Sequence, residues 1–298
     1  MKIGYYPGCS LHATAREFEQ SFRAIAGPLG IELAELDDWS CCGATSAHAT
    51  NHLLAVSLAA RNLALAEAEG HSALVAPCAA CYSRLATARH EIGGDAALAK
   101  RVREILGRPF ENAVKVQSIA EVLRDAAKTI AERTTRPLKG LKVACYYGCL
   151  LVRPPAVTGF DDAEAPSSME DVVRAVGGEP VEWRMKLDCC GGGFSLSRTV
   201  SVLRLGRAIV DDARDAGARV IAVACPMCHS NLDFRQKAMA RSPGAEELPI
   251  LFITQVVGLG LGLDPAGLGL NRHFVDTAPV MRRIAPSATA AAPATETG

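Results

Sequence analysis

Ten of the eleven cysteines in this 298-residue chain fall into two sets of five. The first set is Cys9, then 31 residues, the adjacent pair Cys41-Cys42 with Gly43, then Cys78-x-x-Cys81. The second is Cys149, then 39 residues, the pair Cys189-Cys190 with Gly191, then Cys225-x-x-Cys228. Thiolates are soft ligands, suited to zinc or to iron–sulfur clusters. Structural zinc takes four ligands, commonly as two CxxC pairs. Each set here has five thiols: one CxxC, one adjacent pair and one distant cysteine. Neighbouring cysteines fit poorly around one small tetrahedral ion, but they can bind different irons of a larger cluster. The closely spaced four-cysteine run of ferredoxins is absent. Two redox metal clusters in a duplicated protein is the reading these residues support. A zinc-stapled scaffold is the alternative that metal analysis would separate.

The repeat extends beyond the thiols. Lys2-Ile3-Gly4-Tyr5-Tyr6-Pro7-Gly8-Cys9 aligns with Lys142-Val143-Ala144-Cys145-Tyr146-Tyr147-Gly148-Cys149 at an offset of 140, and the pairs and CxxC motifs recur at offsets of 148 and 147. A duplication with small insertions accounts for this. In each half a short apolar strand (3–6; 143–146) leads into the lone cysteine. Each paired motif is expected to open a helix, with Leu53, Val56, Ala60 and Leu63, or Val202, Leu205, Ile209 and Ala213, stepping by three or four. Gly70 and Gly217 stand where those helices should stop. Strands over 72–76 and 219–224 then run into the CxxC motifs, and a helix should follow. This alternation predicts parallel α/β sheets. It sets the cysteines at strand ends and helix starts, where open α/β sheets bind ligands and where helix N-termini favour thiolates. The halves are expected to divide as residues 1–136 and 137–283, with 153–168 a long loop and 284–298, rich in Ala, Pro and Thr, a disordered tail.

Composition narrows the partners. Formal net charge is zero and aromatics are 5%, so neither nucleic acid nor anionic lipid is favoured. No targeting signal is visible, and the apolar run 248–263 is short for a membrane span. A cytoplasmic protein without membrane insertion is expected, where cysteines imply metal or redox chemistry more than disulfides.

The duplicated pattern resembles the CCG-domain cysteine-rich family, and within it the B subunit of heterodisulfide reductase. The similarity covers roughly residues 1–275 and includes Tyr5-Tyr6-Pro7-Gly8-Cys9, Cys189-Cys190-Gly191-Gly192, 225–233 and 248–259. It implies two tandem, duplicated, Rossmann-like CCG domains related by pseudo-two-fold symmetry. It also implies two noncubane 4Fe–4S clusters. One would be held by Cys9, Cys41, Cys42, Cys78 and Cys81, the other by Cys149, Cys189, Cys190, Cys225 and Cys228. Disulfide reduction is the implied reaction, each cluster capturing one sulfur of a disulfide or thiol substrate, or the reverse on sulfane sulfur as in sulfur-oxidising relatives. The implied partners are a ferredoxin-type protein resembling the C subunit of heterodisulfide reductase and a flavoprotein resembling its A subunit. The competing reading is a non-catalytic electron-transfer component, as in glycolate or lactate oxidase and succinate:quinone reductase types.

Weaker signals remain. His12 and His229 lie near cluster cysteines and are candidate catalytic proton donors, with capping or solvated histidines as the alternative. His48 and His52, four apart, are expected on one helix as a polar face. Tyr6 and Tyr146 read as packing residues, and Cys145, without a repeat partner, as a buried strand cysteine. Arg198, Arg204 and Arg207 could meet an anionic substrate. Gly258–Gly262 lacks the nucleotide-loop spacing. The apolar, glycine-rich stretch 248–270 is the candidate partner-binding surface.

Overall fold

The computed structural model describes residues 1–44, 47–240 and 246–284. It consists of two four-stranded parallel sheets built to one plan. The first has β1 (Lys2–Tyr5), β2 (Glu32–Glu35), β3 (Ala73–Ala76) and β4 (Lys115–Ser118) in the order β2-β1-β3-β4. The second has β5 (Lys142–Tyr146), β6 (Glu179–Pro180), β7 (Val220–Val223) and β8 (Ile250–Phe252) in the order β6-β5-β7-β8. The two orders correspond strand for strand, as the sequence repeat requires. All pairings are parallel, with Tyr5 opposite Val75 and Tyr146 opposite Val223. Strands of such sheets are covered on both faces and read as apolar runs. Val220–Val223 is accordingly buried at every residue, whereas the edge strand β2, Glu-Leu-Ala-Glu, is partly exposed throughout.

The halves interlock reciprocally. The helix after β1 (Arg16–Ala26) packs on the helix after β8 (Ile253–Gly260), and the helix after β5 (Ser168–Ala175) packs on the helix after β4 (Ile119–Asp125). Corresponding surfaces are thus exchanged, as in a two-fold interface. Phe18 and Phe252 stack across this junction with centroids 4.1 Å apart and planes at 7°. Beside them the Ser21 and Thr254 hydroxyls lie 2.7 Å apart, both buried. Of the stretch 248–270, only the turn 262–267 reaches the surface. Ile250–Gly260 is buried at every residue, because β8 and its helix complete the second sheet and close against the first half.

The long helices occupy His52–Ala68 and Thr199–Asp215, and end before Gly70 and Gly217 as expected. Neither begins at its paired motif. Gly43 and Gly191 both take φ +78°, which turns the chain out of helical geometry, and the long helices start only at His52 and Thr199. Asn51 caps the first of them by accepting from the Leu54 amide at 2.9 Å. This cap also separates His48, in the short helix Ala47–Thr50, from His52, so the two histidines do not share one helix. The expected tail lies outside the described residues except for Ile284, which is buried.

Candidate redox-metal centres

Each thiol set forms at the C-terminal end of its sheet, where a strand stops and its backbone groups need new partners. β3 and β7 lead directly to Cys78 and Cys225, which occupy the N-cap positions of the helices Ala79–Gly94 and Pro226–Asp233. An N-cap thiol faces unpaired amides, and the positive helix end favours its ionised form. One turn into each helix, Cys81 and Cys228 face back toward the paired motifs. The Cys42 thiol lies 3.3 Å from the Cys81 sulfur, and Cys190 lies 3.4 Å from Cys228. The first cysteine of each pair is held by the amide two residues on, Gly43 N to Cys41 Sγ at 3.4 Å and Gly191 N to Cys189 Sγ at 3.3 Å. Cys9 is within hydrogen-bonding reach of Cys41, and Cys149 of Cys189. All ten motif cysteines therefore gather as the sequence sets them out. Cys145 stays apart, fully buried in β5, with its carbonyl accepting from the Trp183 indole at 3.1 Å.

Both sets meet at the junction of the halves. Cys78 and Cys225, the corresponding first cysteines of the two CxxC motifs, are within hydrogen-bonding reach of each other. They and their CxxC partners are buried, whereas Cys9, Cys41 and Cys189 are exposed. Each set thus has a closed inner side and an open outer one.

The thiols do not ionise alike. Cys42 is pulled down to about 7, chiefly by its hydrogen bond with Cys81 and against the effect of burial. Cys189 is lowered to about 6, first through Cys149. Cys225 is held well below the usual thiol range by Cys228 and then Cys78. Cys81, Cys149 and Cys228 are pushed up, chiefly because each hydrogen-bonds to a more acidic partner thiol. Clustered thiols raise one another's cost of ionisation, and a cation among them removes that cost.

The donor sets fit an iron–sulfur cluster. Five soft ligands converge from three segments, and the backbone leaves room beside them. A Cβ on Gly8 (φ +68°) would stand 3.0 Å from Cys81 Sγ, and one on Gly148 (φ +65°) 3.3 Å from Cys228 Sγ. These two glycines serve both the turn and the sulfur contact.

The candidate histidines are engaged elsewhere. His12 ends the helix Gly8–His12, with Nε2 3.3 Å from Glu35 and its ring edge-on to Trp39 at 5.1 Å. His229 is 6% exposed, stacked on Phe252 at 4.3 Å, with Nε2 3.1 Å from His273 Nδ1. Burial holds it well below the ordinary histidine range. Sequence reading did not find Asn231, whose amide donates to the Cys190 carbonyl at 3.1 Å and whose oxygen accepts from Ser195 at 2.9 Å. Its place three residues after Cys228, on the helix face that carries the ligand, was the available signal.

The rim of the second site is unusually apolar. Phe194, Leu196, Val200, Phe234 and Phe274 are all exposed, Leu196 completely. Phe234 and Phe274 pack edge-to-face at 4.7 Å, and Arg235 ties this group to the paired-cysteine loop through the Ser195 carbonyl at 2.9 Å.

Comparison with known proteins accords with this geometry. The cysteine-rich CCG domain family matches residues 3–86 and 143–233. A protein of Wolinella succinogenes named 8-methylmenaquinol:fumarate reductase membrane anchor subunit is 32% identical over 92% of this chain and 97% of its own length. The B subunit of a ferredoxin/F(420)H(2)-dependent CoB-CoM heterodisulfide reductase from Methanosarcina acetivorans is 28% identical over 95% of this chain and 97% of its own. Among solved structures, a hypothetical protein from Helicobacter pylori superposes with a TM-score of 0.75 at 14% identity, over 92% of this chain and 51% of that one. That likeness shows the fold. No helix among the described residues is long and apolar enough to cross a membrane.

Proposed function

The chain belongs to the CCG cysteine-rich domain family, and from that membership we propose that it is the catalytic iron–sulfur component of a heterodisulfide-reductase-like complex, reducing or forming a disulfide or sulfane-sulfur substrate. The observation that carries this reading is two complete five-thiol sets at corresponding sheet ends, with Cys42 3.3 Å from Cys81 and Cys190 3.4 Å from Cys228. Cys9, Cys41, Cys42, Cys78 and Cys81 would hold one noncubane 4Fe–4S cluster; Cys149, Cys189, Cys190, Cys225 and Cys228 would hold the other. When bound, such clusters supply one-electron redox chemistry and iron that takes up sulfur, and cleaving a disulfide needs two electrons. The chain itself contributes the rest. Gly43 and Gly191 amides donate to the Cys41 and Cys189 sulfurs, Cys225 is held as a thiolate by its thiol partners while Cys78 is pushed up by its contact with Cys225, and burial excludes water from the inner side. Free thiols in this number suit a reducing compartment, so we assign the chain to the cytoplasm. Of the two candidate histidines, the half-exposed His12 is the proton donor this reading keeps; His229, buried against Phe252 and His273 and held in its neutral form, is not suited to that role.

On this reading electrons are supplied by a partner protein. The apolar rim of the second site suits such a partner, a ferredoxin-type iron–sulfur protein, itself served by a flavoprotein. Arg198 and Arg204, both exposed and close in sequence to that rim, would complement an acidic partner face.

A second reading rests on the 32% identical relative named as a fumarate reductase membrane anchor: electron relay without a substrate of its own. One experiment separates the readings. Protein purified without oxygen should contain about eight irons, as two four-iron clusters require. Adding a thiol under oxidising conditions should produce a new paramagnetic resonance signal. Eight irons without a thiol response would favour relay, and zinc without iron would end both readings. Cys42→Ser should lose one cluster and keep the other; full iron in that variant would refute the ligand assignment.

A further inference from the structure

One arrangement recurs in both halves without belonging to the thiol sets. Tyr6 and Tyr146 are buried at the ends of β1 and β5. The Tyr6 hydroxyl donates to the Ser40 carbonyl at 2.8 Å, and the Tyr146 hydroxyl donates to the Asp188 carbonyl. Ser40 and Asp188 each immediately precede a cysteine pair. The same phenol thus ties the same point of the cysteine loop to its strand end, twice.

The surroundings are repeated too. The chain has two tryptophans. Trp39 lies edge-on to Tyr6 with centroids 5.6 Å apart, and Trp183 lies against Tyr146 at 6.0 Å. Trp39 precedes its pair by two residues and Trp183 by six, so the contact persists where the spacing does not. On the other side, a Cβ on Gly8 or Gly148 would meet the Tyr6 or Tyr146 ring at 3.2 or 3.5 Å. The phenol is therefore wedged between the lone-cysteine turn and the paired-cysteine loop. Tyr6 is also within hydrogen-bonding reach of Cys42, and Tyr146 lies among Cys228, Cys190, Cys149 and Cys189.

A buried phenol must satisfy its O–H, and an irregular loop needs a fixed anchor. One bond meets both needs here. Each phenol's one O–H goes to the loop carbonyl, so it acts on the site by fixing where the paired cysteines and their backbone amides lie, and the hydrogen bonding around cluster thiolates sets reduction potential. We propose that Tyr6 and Tyr146 are positioning residues, each fixing one paired-cysteine loop and tuning one redox site. The tuning rests on the iron–sulfur reading above; the anchoring does not.

The two parts are tested separately. In cluster-free protein, Tyr6→Phe in a Trp183→Phe background should raise acrylamide quenching of Trp39 at least twofold. Tyr146→Phe in a Trp39→Phe background should do the same for Trp183. Unchanged quenching in both would overturn the anchoring. In iron-loaded protein, Tyr6→Phe should retain iron, and at a fixed ambient potential the reduced-to-oxidised ratio of the first site should fall three- to tenfold. Tenfold corresponds to about 59 mV for one electron. The second site should not move, and Tyr146→Phe should reverse the pattern. Potentials unchanged in both variants, or shifted equally at both sites by one variant, would overturn the tuning. If Tyr6→Phe fails to load iron, Tyr146→Phe still decides the point. Increased quenching in a chain that never binds iron would leave the anchor standing and remove the redox reading alone.

Discussion

Gly8→Ala should damage the first thiol set specifically. Gly8 has φ +68°, and a Cβ there would lie 3.0 Å from the Cys81 sulfur. Left-handed backbone costs an alanine about 1–2 kcal/mol. Relieving the sulfur contact means moving Cys81 off its rotamer, at about 0.5–1.5 kcal/mol. The sum is about 1.5–3.5 kcal/mol, or a melting-temperature drop of about 3–14 °C for a unit of this size. Gly70→Ala is the matched control, because Gly70 has φ +77° but nothing within 4 Å of an added Cβ. It carries the backbone cost alone. The difference between the variants therefore isolates the close contacts at Gly8, with the Cys81 sulfur at 3.0 Å and the Tyr6 ring at 3.2 Å, about 1 kcal/mol. Iron content is the sharper assay. Cys81 cannot yield without leaving Cys42, now 3.3 Å away, so Gly8→Ala should lose the iron of the first set while Gly70→Ala keeps all of it. Gly148→Ala, with its sulfur at 3.3 Å, should fall between them and affect the second set. Equal melting temperatures and equal iron in Gly8→Ala and Gly70→Ala would refute the idea that this glycine is required by the sulfur.

Two further outcomes follow from the junction of the halves. Phe18→Ala removes a fully buried ring stacked on Phe252, and should cost about 3–5 kcal/mol in urea unfolding; a loss below about 1 kcal/mol would mean the halves do not pack there. His273 is lowered to about 4, first by burial, so its proton is excluded from the folded state. A depressed folded value stabilises above the unfolded pKa of about 6.5 and is lost as pH falls toward 4, by about 3 kcal/mol in all. Asp233 nearby, raised to about 6 chiefly by burial, acts with the opposite sign over the same interval. His273→Gln should therefore flatten the loss of stability between pH 6.5 and 4, and an unchanged stability profile would contradict the assignment.

Much of the fold and of the thiol sites was legible because a duplication writes each feature twice. The offsets of 140, 148 and 147 located corresponding cysteines before any geometry was known, and strand-to-CxxC-to-helix continuity set them at sheet ends. What could not be read were features that depend on nonlocal contacts. Residues 248–261 look like an exposed apolar patch in one dimension, yet they are apolar because they are buried twice, in their own sheet and against the first half, and in the stretch 248–270 only the turn 262–267 reaches the surface. The paired motifs look like helix starts because periodic residues follow them, but the positive φ at Gly43 and Gly191 is set by the turn that brings Cys42 and Cys190 to the CxxC sulfurs. Tyr6 and Tyr146 read as packing residues since sequence shows a ring and a strand end, not the carbonyl 34 or 42 residues away that accepts the hydroxyl.

The exchange of helices between halves also constrains what each site can be alone. The helix after β1 is completed by the helix after β8, and the helix after β5 by the helix after β4. Neither half buries its own apolar face fully, so neither site has a finished inner wall without the other half. Cys78 and Cys225 sit at that shared wall. A change in charge on one of these thiolates is felt by the other at short range and in a buried setting, where screening is weakest. If the two thiol sets hold one-electron clusters, as proposed, the sites are coupled through cysteines that sequence alone assigns to separate halves.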